Sequence, residues 1–474
     1  MMRKRALLVL LAIGLGVGLA VVSLRLERGR MTPAEVLTPG TTVQTPLTPV
    51  AAPVNEDGAV VISEVGTYVI EVATKKLWRL GSAFSTSVVW SRDSLSRVIC
   101  CDEPGGIDVV DLGAGFTHRI FEGDVSLVRP SPDGRLLAFT QPRAMPTVGL
   151  YVLDVDGSSL RQLSDAPIWD IRWSPRGDYI AFQTGPQGNV HLLQAALGKT
   201  SEIVGLGLER PITFAWSPDS QAVAMGGANG LFLHAADTGQ SRQLSSAPSW
   251  AVLLWSPGGA ELLRGDLVKI VTNAGIPYSY PGSFWLSVID VASGQERPLT
   301  ASYRRPAWSP DGRRIAYISD GCQTGRWDVY VTSADGGDPR RLTTPETAQH
   351  PASVLGGPLW SPDGSTIVFS TIEKVLLADA STGGIRPLAV RDAKLRDPMA
   401  VRTWSGDGRY VEFGLLVAQV SATEPASHDY QPHQNSRVQL SPLDATSSDD
   451  MNPKERRADG IMLRGCRILL SVRA

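Results

Sequence analysis

The chain has 474 residues, is 43% apolar, and balances 45 basic against 47 acidic residues for a net charge of −2. That length can bury a large core, and the near-neutral balance carries no electrostatic footprint for nucleic acid. Its 47 glycines and 33 prolines are too few for a collagen-like or wholly disordered chain and suit a protein full of tight turns; tryptophan is frequent, at 12.

Residues 1–30 read as a targeting segment. Arg3, Lys4 and Arg5 precede an uncharged apolar run from Ala6 to Leu24. As a helix, that run at ~1.5 Å per residue reaches about 28 Å, close to the thickness of a hydrocarbon bilayer. Two readings are open: a retained signal anchor, or a signal peptide cleaved near Gly18-Leu19-Ala20. The anchor is favoured because the apolar run continues through Val21 and Val22. On either reading the rest of the chain is expected outside the cytoplasm. It is held on the cell membrane by a single pass, or secreted if the signal is cut. Residues 31–57 are rich in Thr and Pro and are expected to form an extended, solvated linker.

From residue 58 to about 420 one signature recurs: an aromatic residue, then Ser-Pro-Asp-Gly, then a short apolar strand. It appears as WSRDS at Trp90, RPSPDG at Pro130, WSPRG at Trp173 and WSPDS at Trp216. It continues as WSPGG at Trp255, WSPDG at Trp308 and Trp360, and WSGDG at Trp404. The intervals are 40, 43, 43, 39, 53, 52 and 44 residues. Between the anchors lies a second signature, a strand, a Gly-containing turn and a shorter strand, as in LYVLDVDGSSLRQLS from Leu150.

Ser-Pro-Asp-Gly is turn chemistry: proline presets φ, aspartate caps the turn, and glycine permits φ > 0. Each repeat therefore predicts two hairpins, hence a four-stranded antiparallel sheet. Such a sheet has two apolar faces and cannot stand alone; wedging like sheets around an axis buries both. The expected fold is all-β, a β-propeller of about eight four-stranded blades, with seven open because the WSRDS and WSPGG copies are degenerate. Trp90, Trp173, Trp216, Trp255, Trp308, Trp360 and Trp404 are the predicted packing residues between blades. Asp133, Asp219, Asp311, Asp363 and Asp407 are the predicted turn caps. Strands before the first anchor and after the last are expected to share one composite blade.

These repeats resemble the TolB-type, WD-repeat-like propellers of bacterial envelopes, and are similar to the propellers of dipeptidyl-peptidase relatives. The resemblance covers about residues 58–420 and speaks for fold far more than for function. The hydrolase domain of the peptidase relatives is not expected, since fewer than sixty residues follow the propeller and no GxSxG elbow occurs. No HExxH, Walker loop, GxGxxG or EF-hand loop is present, and nothing implies a cofactor or metal. Residues 421–474 leave the repeat and read as a polar, disordered tail with one short apolar stretch. Of the four cysteines, Cys100, Cys101, Cys322 and Cys466, none has metal spacing. They read as ordinary thiols, and a bridge from Cys322 to the adjacent pair stays open.

Alternating strand direction places the Ser-Pro-Asp-Gly and Asp-x-x-Gly turns on one face of the disc. Longer insertions fall on the other, at 271–285, 343–358 and 390–399. Binding is expected on that looped face. Tyr278, Tyr280, Phe284 and Trp285 are the candidate interface aromatics, with Arg326, Trp327 and His350 on loops of the same class. Each also has a plainer role: packing of its own hairpin, a strand start, or a solvated histidine. The function expected is a membrane-tethered, extracytoplasmic module that binds a protein or envelope polymer. The alternative is an enzyme or small-ligand binder using the central channel.

Overall fold

The computed structural model describes residues 44–81, 89–90, 97–100, 106–141, 147–184, 189–195, 199–203, 213–227, 229–247, 249, 252–267, 270–271, 277–278, 284–302, 306–319, 328–337, 339–343, 356–396, 398–415, 462–463 and 466–467. The chain divides into two units, 1–34 and 35–474, and every described residue belongs to the second. Among the described residues all regular structure is β-strand, and no helix is long and apolar enough to cross a membrane. The apolar run 6–24 lies outside them.

Each anchor ends the innermost strand of an antiparallel sheet, and each sheet is named here by its anchor. In the Trp216 unit, Thr213–Trp216, Ala222–Gly227, Gly230–Ala235 and Ser241–Ser245 pair in sequence. The Trp255 unit (Val252–Trp255, Glu261–Leu267, Phe284–Asp290, Glu296–Ser302) repeats this order, as does the Trp308 unit (Ala307–Trp308, Arg314–Ser319, Asp328–Ser333, Arg340–Arg341). The Pro130 and Trp173 units share a 14-residue strand, Leu160–Trp173, so they join as one seven-stranded sheet. The Trp404 unit is composite: Met399–Trp404 and Tyr410–Leu415 pair with Thr67–Glu71 and Leu77–Gly81. Both ends of the repeat region thus meet in one sheet, and the ring closes through backbone hydrogen bonds.

The turn chemistry explains each inner hairpin. Ser131, Ser217, Ser309, Ser361 and Ser405 donate Oγ–H to the Oδ1 of Asp133, Asp219, Asp311, Asp363 and Asp407 at 2.5–2.6 Å. Each serine oxygen accepts in return from the amide five residues on, at 2.9 Å. The serine bond and a backbone amide hold Asp219, Asp311 and Asp363 below the usual carboxylate range. Glycine takes positive φ in these turns, for example +70° at Gly312 and Gly364. The two turns of a unit also touch: the Val291 amide donates to Ala260 O, and the Ala334 amide to Arg313 O. Both turn classes therefore occupy one face, and the strand links occupy the other.

Two devices lock unit to unit. The indole N–H of Trp173 donates to Arg129 O, Trp216 to Arg172 O, and Trp255 to Ala215 O. Trp308 continues to Leu254 O, Trp360 to Ala307 O, and Trp404 to Leu359 O, all within 3.0–3.2 Å. Every acceptor is the residue just before the preceding anchor. The recurrent tryptophan is thus a hydrogen-bonded strut as well as an apolar wedge. In the turns, the glycine of one unit abuts the proline of the preceding one: Gly177 on Pro132, Gly259 on Pro218, Gly312 on Pro257, Gly364 on Pro310 and Gly408 on Pro362. Where Ser220 replaces glycine at φ 63°, its Oγ instead accepts the Arg176 amide at 2.8 Å.

Apolar clusters fill the spaces between units. Ile318 and Val329 pack with Trp360, Ile367 and Phe369, and Leu231 and Leu233 pack with Leu253 and Leu262. A fully buried Leu, Ile or Phe stabilises by roughly 1.5–3 kcal/mol, so this interleaving is the dominant favourable term.

Residues 45–57 are extended and mostly exposed, yet they are bonded to the ring and not merely solvated. Thr45–Pro46 pairs with Phe116–Thr117, Val50 bridges Leu77, and Val54 bridges Val60. Val60–Ile62 then joins the outer strand Ile385–Arg391 in parallel. Near the C-terminus, Met462–Leu463 pairs with Cys466–Arg467 as a minimal hairpin.

Candidate functional site

A repeat supplies its own internal control. The residue just before the anchor is Val89, Arg129, Arg172, Ala215, Leu254, Ala307, Leu359 or Thr403 in chain order. Only two consecutive copies break the small-or-apolar rule, and both do so with arginine. The backbone carbonyl at this position is committed to the next tryptophan, so the side chain is free to differ.

In the structure these arginines lie on neighbouring innermost strands with Asp170 between them. Arg172 Nε donates to Asp170 Oδ2 at 3.0 Å, and Arg129 Nη2 approaches Asp170 Oδ1 at 4.0 Å. The Ile171 amide also donates to Asp170 Oδ1, at 2.9 Å. Arg172 Nη1 donates to Phe214 O, and its guanidinium lies 4.7 Å from the Phe214 ring centroid. Arg129 Nη1 is spent on its neighbour Val128 O. Both guanidinium side chains are 40% exposed and Asp170 25%. Two cations around one anion leave a net positive charge with donors to spare.

Trp169, next in sequence to Asp170, is 36% exposed. It lies where the strand Leu160–Trp173 passes from one unit to the next, on the linking face. The arrangement combines an exposed indole with spare guanidinium donors on the innermost strands. That suits recognition of an acidic group and supplies neither nucleophile nor general base.

The aromatics predicted from sequence are placed differently. Phe284 and Trp285 begin a strand instead of ending a loop, opposite Leu267 and Asp266 on one side and Ser302 and Ala301 on the other. Tyr278 pairs with Ile270 in a two-stranded excursion from that unit. Tyr280, Arg326, Trp327 and His350 lie outside the described residues. Asp328, immediately after Trp327, is buried and held by Arg341 at 2.9 Å and by the Thr343 hydroxyl at 2.7 Å. Sequence reading missed Arg129, Asp170, Arg172 and Trp169 because it sought insertions; aligning the copies against one another reveals the two arginines.

Burial pushes His191 and His234 below the ordinary histidine value, and each bonds a hydroxyl, Thr184 or Ser241. Glu412, 1% exposed and 3.4 Å from Arg402, is pushed up to about 8 by burial despite that arginine. Among the described residues no group of three His, Cys, Asp or Glu side chains could hold a metal ion.

No family model matches the chain. A curated relative, "Uncharacterized peptidase YuxL" of Bacillus subtilis (strain 168), is 37% identical over 95 residues. That match spans 19% of this chain and only 13% of the relative. Similar solved structures include an oligogalacturonate lyase in complex with manganese, with TM-score 0.45, 14% identity, 79% of this chain and 98% of that one. A putative TolB from Agrobacterium tumefaciens has TM-score 0.35, 20% identity, 57% of this chain and 98% of that one. The neighbours thus include the TolB type that the repeat resembles.

Proposed function

We propose that the chain is an eight-bladed propeller that binds an acidic partner, a protein or an envelope polymer, through Arg129 and Arg172 on the innermost strands and the exposed Trp169. The N-terminal segment would hold it at the cell membrane outside the cytoplasm. The observation that carries the binding reading is the pair of consecutive arginines at a position kept small or apolar in the other copies, together with the exposed Trp169. The tryptophan locks use only the backbone there; the Arg172 side chain also bridges to Phe214 of the next unit, whereas Arg129 reaches only Val128 O and Asp170.

The test places a photo-reactive phenylalanine analogue at Trp169 in the full chain expressed in a bacterial envelope. A discrete cross-linked species is expected, lost when Arg129→Ala and Arg172→Ala are added, and not formed from a control analogue at Arg313 on the turn face. Equal cross-linking from both faces, or indifference to the arginines, sinks the reading. Membrane attachment is tested separately. The full chain should sediment with membranes, and deletion of residues 1–30 should release it.

The second reading, an enzyme or small-ligand binder of the central channel, draws on charged side chains of the innermost strands and on the word peptidase in the Bacillus relative's name. Hydrolysis of peptides by the purified chain would favour it.

A further inference from the structure

The two locks are not distributed evenly around the ring. From Pro130 through Trp404 each successive pair of units is joined by an indole–carbonyl bond. At the Trp90 unit (Val89–Trp90, Arg97–Cys100, Gly106–Asp111, Phe116–Glu122) both junctions differ. Towards the Trp404 unit, the Trp90 indole nitrogen is buried and has no hydrogen-bond partner among the described residues. The proline position of that neighbour's turn is Gly406, whose Cβ would meet nothing within 4 Å, and the glycine position of the Trp90 turn is Ser94. Towards the next unit, the anchor is Pro130, which has no indole N–H to donate, and Arg92 replaces the turn proline. At both junctions of this unit the indole–carbonyl bond is absent among the described residues, and Gly406 stands where the neighbouring turn would carry its proline.

Apolar contact remains. Trp90 stacks on Tyr410 at 5.8 Å, and Phe121 meets Phe139 at 5.0 Å. A different clamp runs outside. Thr45–Pro46 pairs with the outermost strand of the Trp90 unit, and the Leu47 amide donates to Gly115 O at 2.9 Å. Three residues on, the Val50 amide donates to Leu77 O of the composite unit at 2.7 Å. Leu47 packs against the cluster of Val69, Trp78, Val110, Leu112 and Tyr410, which spans that same junction. Residues 45–50 thus bridge from outside the junction whose indole lock is missing among the described residues.

We propose that the Trp90 unit is a segment of the ring that opens on its own, and that residues 45–50 are its latch. Free-energy cost of local opening follows the number of bonds and buried contacts broken, so the unit joined by fewest locks opens first. Because the latch lies at the end of the segment leading from the N-terminus, anything that pulls or binds residues upstream of Thr45 acts directly on it.

Hydrogen exchange on the full chain tests this. Amides of 106–122 are expected to exchange at least ~10-fold faster than those of 222–235 and 314–333. Leu47→Asp should accelerate 106–122 by a further ~10-fold and leave the other two segments unchanged, while Gly406→Pro should slow 106–122. Equal protection of all three segments in the unaltered chain would overturn the proposal even if a variant fails to fold. So would a Leu47→Asp effect spread evenly around the ring.

Discussion

Replacing Trp308 or Trp90 by phenylalanine separates the strut from the wedge. Both substitutions remove one ring's worth of apolar surface from half-buried tryptophans, so that loss largely cancels between them. What differs is the indole N–H. Trp308 donates to Leu254 O at 3.1 Å, whereas the Trp90 nitrogen is buried without a partner. Removing the first forfeits a bond worth about 0.5–1.5 kcal/mol and strands a carbonyl that was satisfied; removing the second relieves a buried donor worth about 1–3 kcal/mol. Trp308→Phe is therefore expected to destabilise the ring by about 2–4 kcal/mol more than Trp90→Phe. Denaturant unfolding followed by tryptophan fluorescence and circular dichroism, with equal m-values, measures the difference. Indistinguishable midpoints for the two variants would refute the reasoning that the indole bond, and not ring size alone, locks neighbouring units.

Further outcomes follow from the same geometry. Ser309→Ala removes a fully buried hydroxyl that both donates to Asp311 and accepts from the Arg314 amide, and should cost about 2–3 kcal/mol in the same unfolding assay. Gly364→Ala, at φ +70° with the new methyl only in ordinary contact with Pro310, should cost about 1–2 kcal/mol from backbone strain alone. Glu412 carries a pH signature. Its folded value of about 8 lies above the ordinary 4.5, so the folded chain holds more protons between those values. Stability contributed below the lower value is then lost as pH rises through the window, by up to roughly 5 kcal/mol. Glu412→Gln should flatten that decline between pH 5 and 8, as read from unfolding midpoints.

Much of the fold was legible because its cause is local. Ser-Pro-Asp-Gly specifies a turn without reference to the rest of the chain, and Ser309, Asp311 and Gly312 show why each letter is needed. The composite closing sheet was also readable, since strands lacking an anchor had to find one elsewhere. Pairing of Thr45–Pro46 with Phe116–Thr117 depends on an edge far away in sequence, and neither segment has a pattern that announces it. The insertion 271–285 runs directly into the third strand, so its first residue, Phe284, carries no boundary signal of its own. The arginine pair was visible only by comparing copies position by position. A charged residue on an innermost strand has no period or motif of its own, and its meaning comes from the apolar residues at the same place in other units.

Ring closure is the premise on which both the site and the latch depend. Spin labels at Lys76 and Arg409, exposed residues at neighbouring turns of the composite sheet, report on it through dipolar spectroscopy. With strands about 4.8 Å apart in one sheet, the labels should fall within roughly 20 Å of each other in a single narrow distribution. A separation beyond about 40 Å, as stacking of the units in a line would give, contradicts the closed ring.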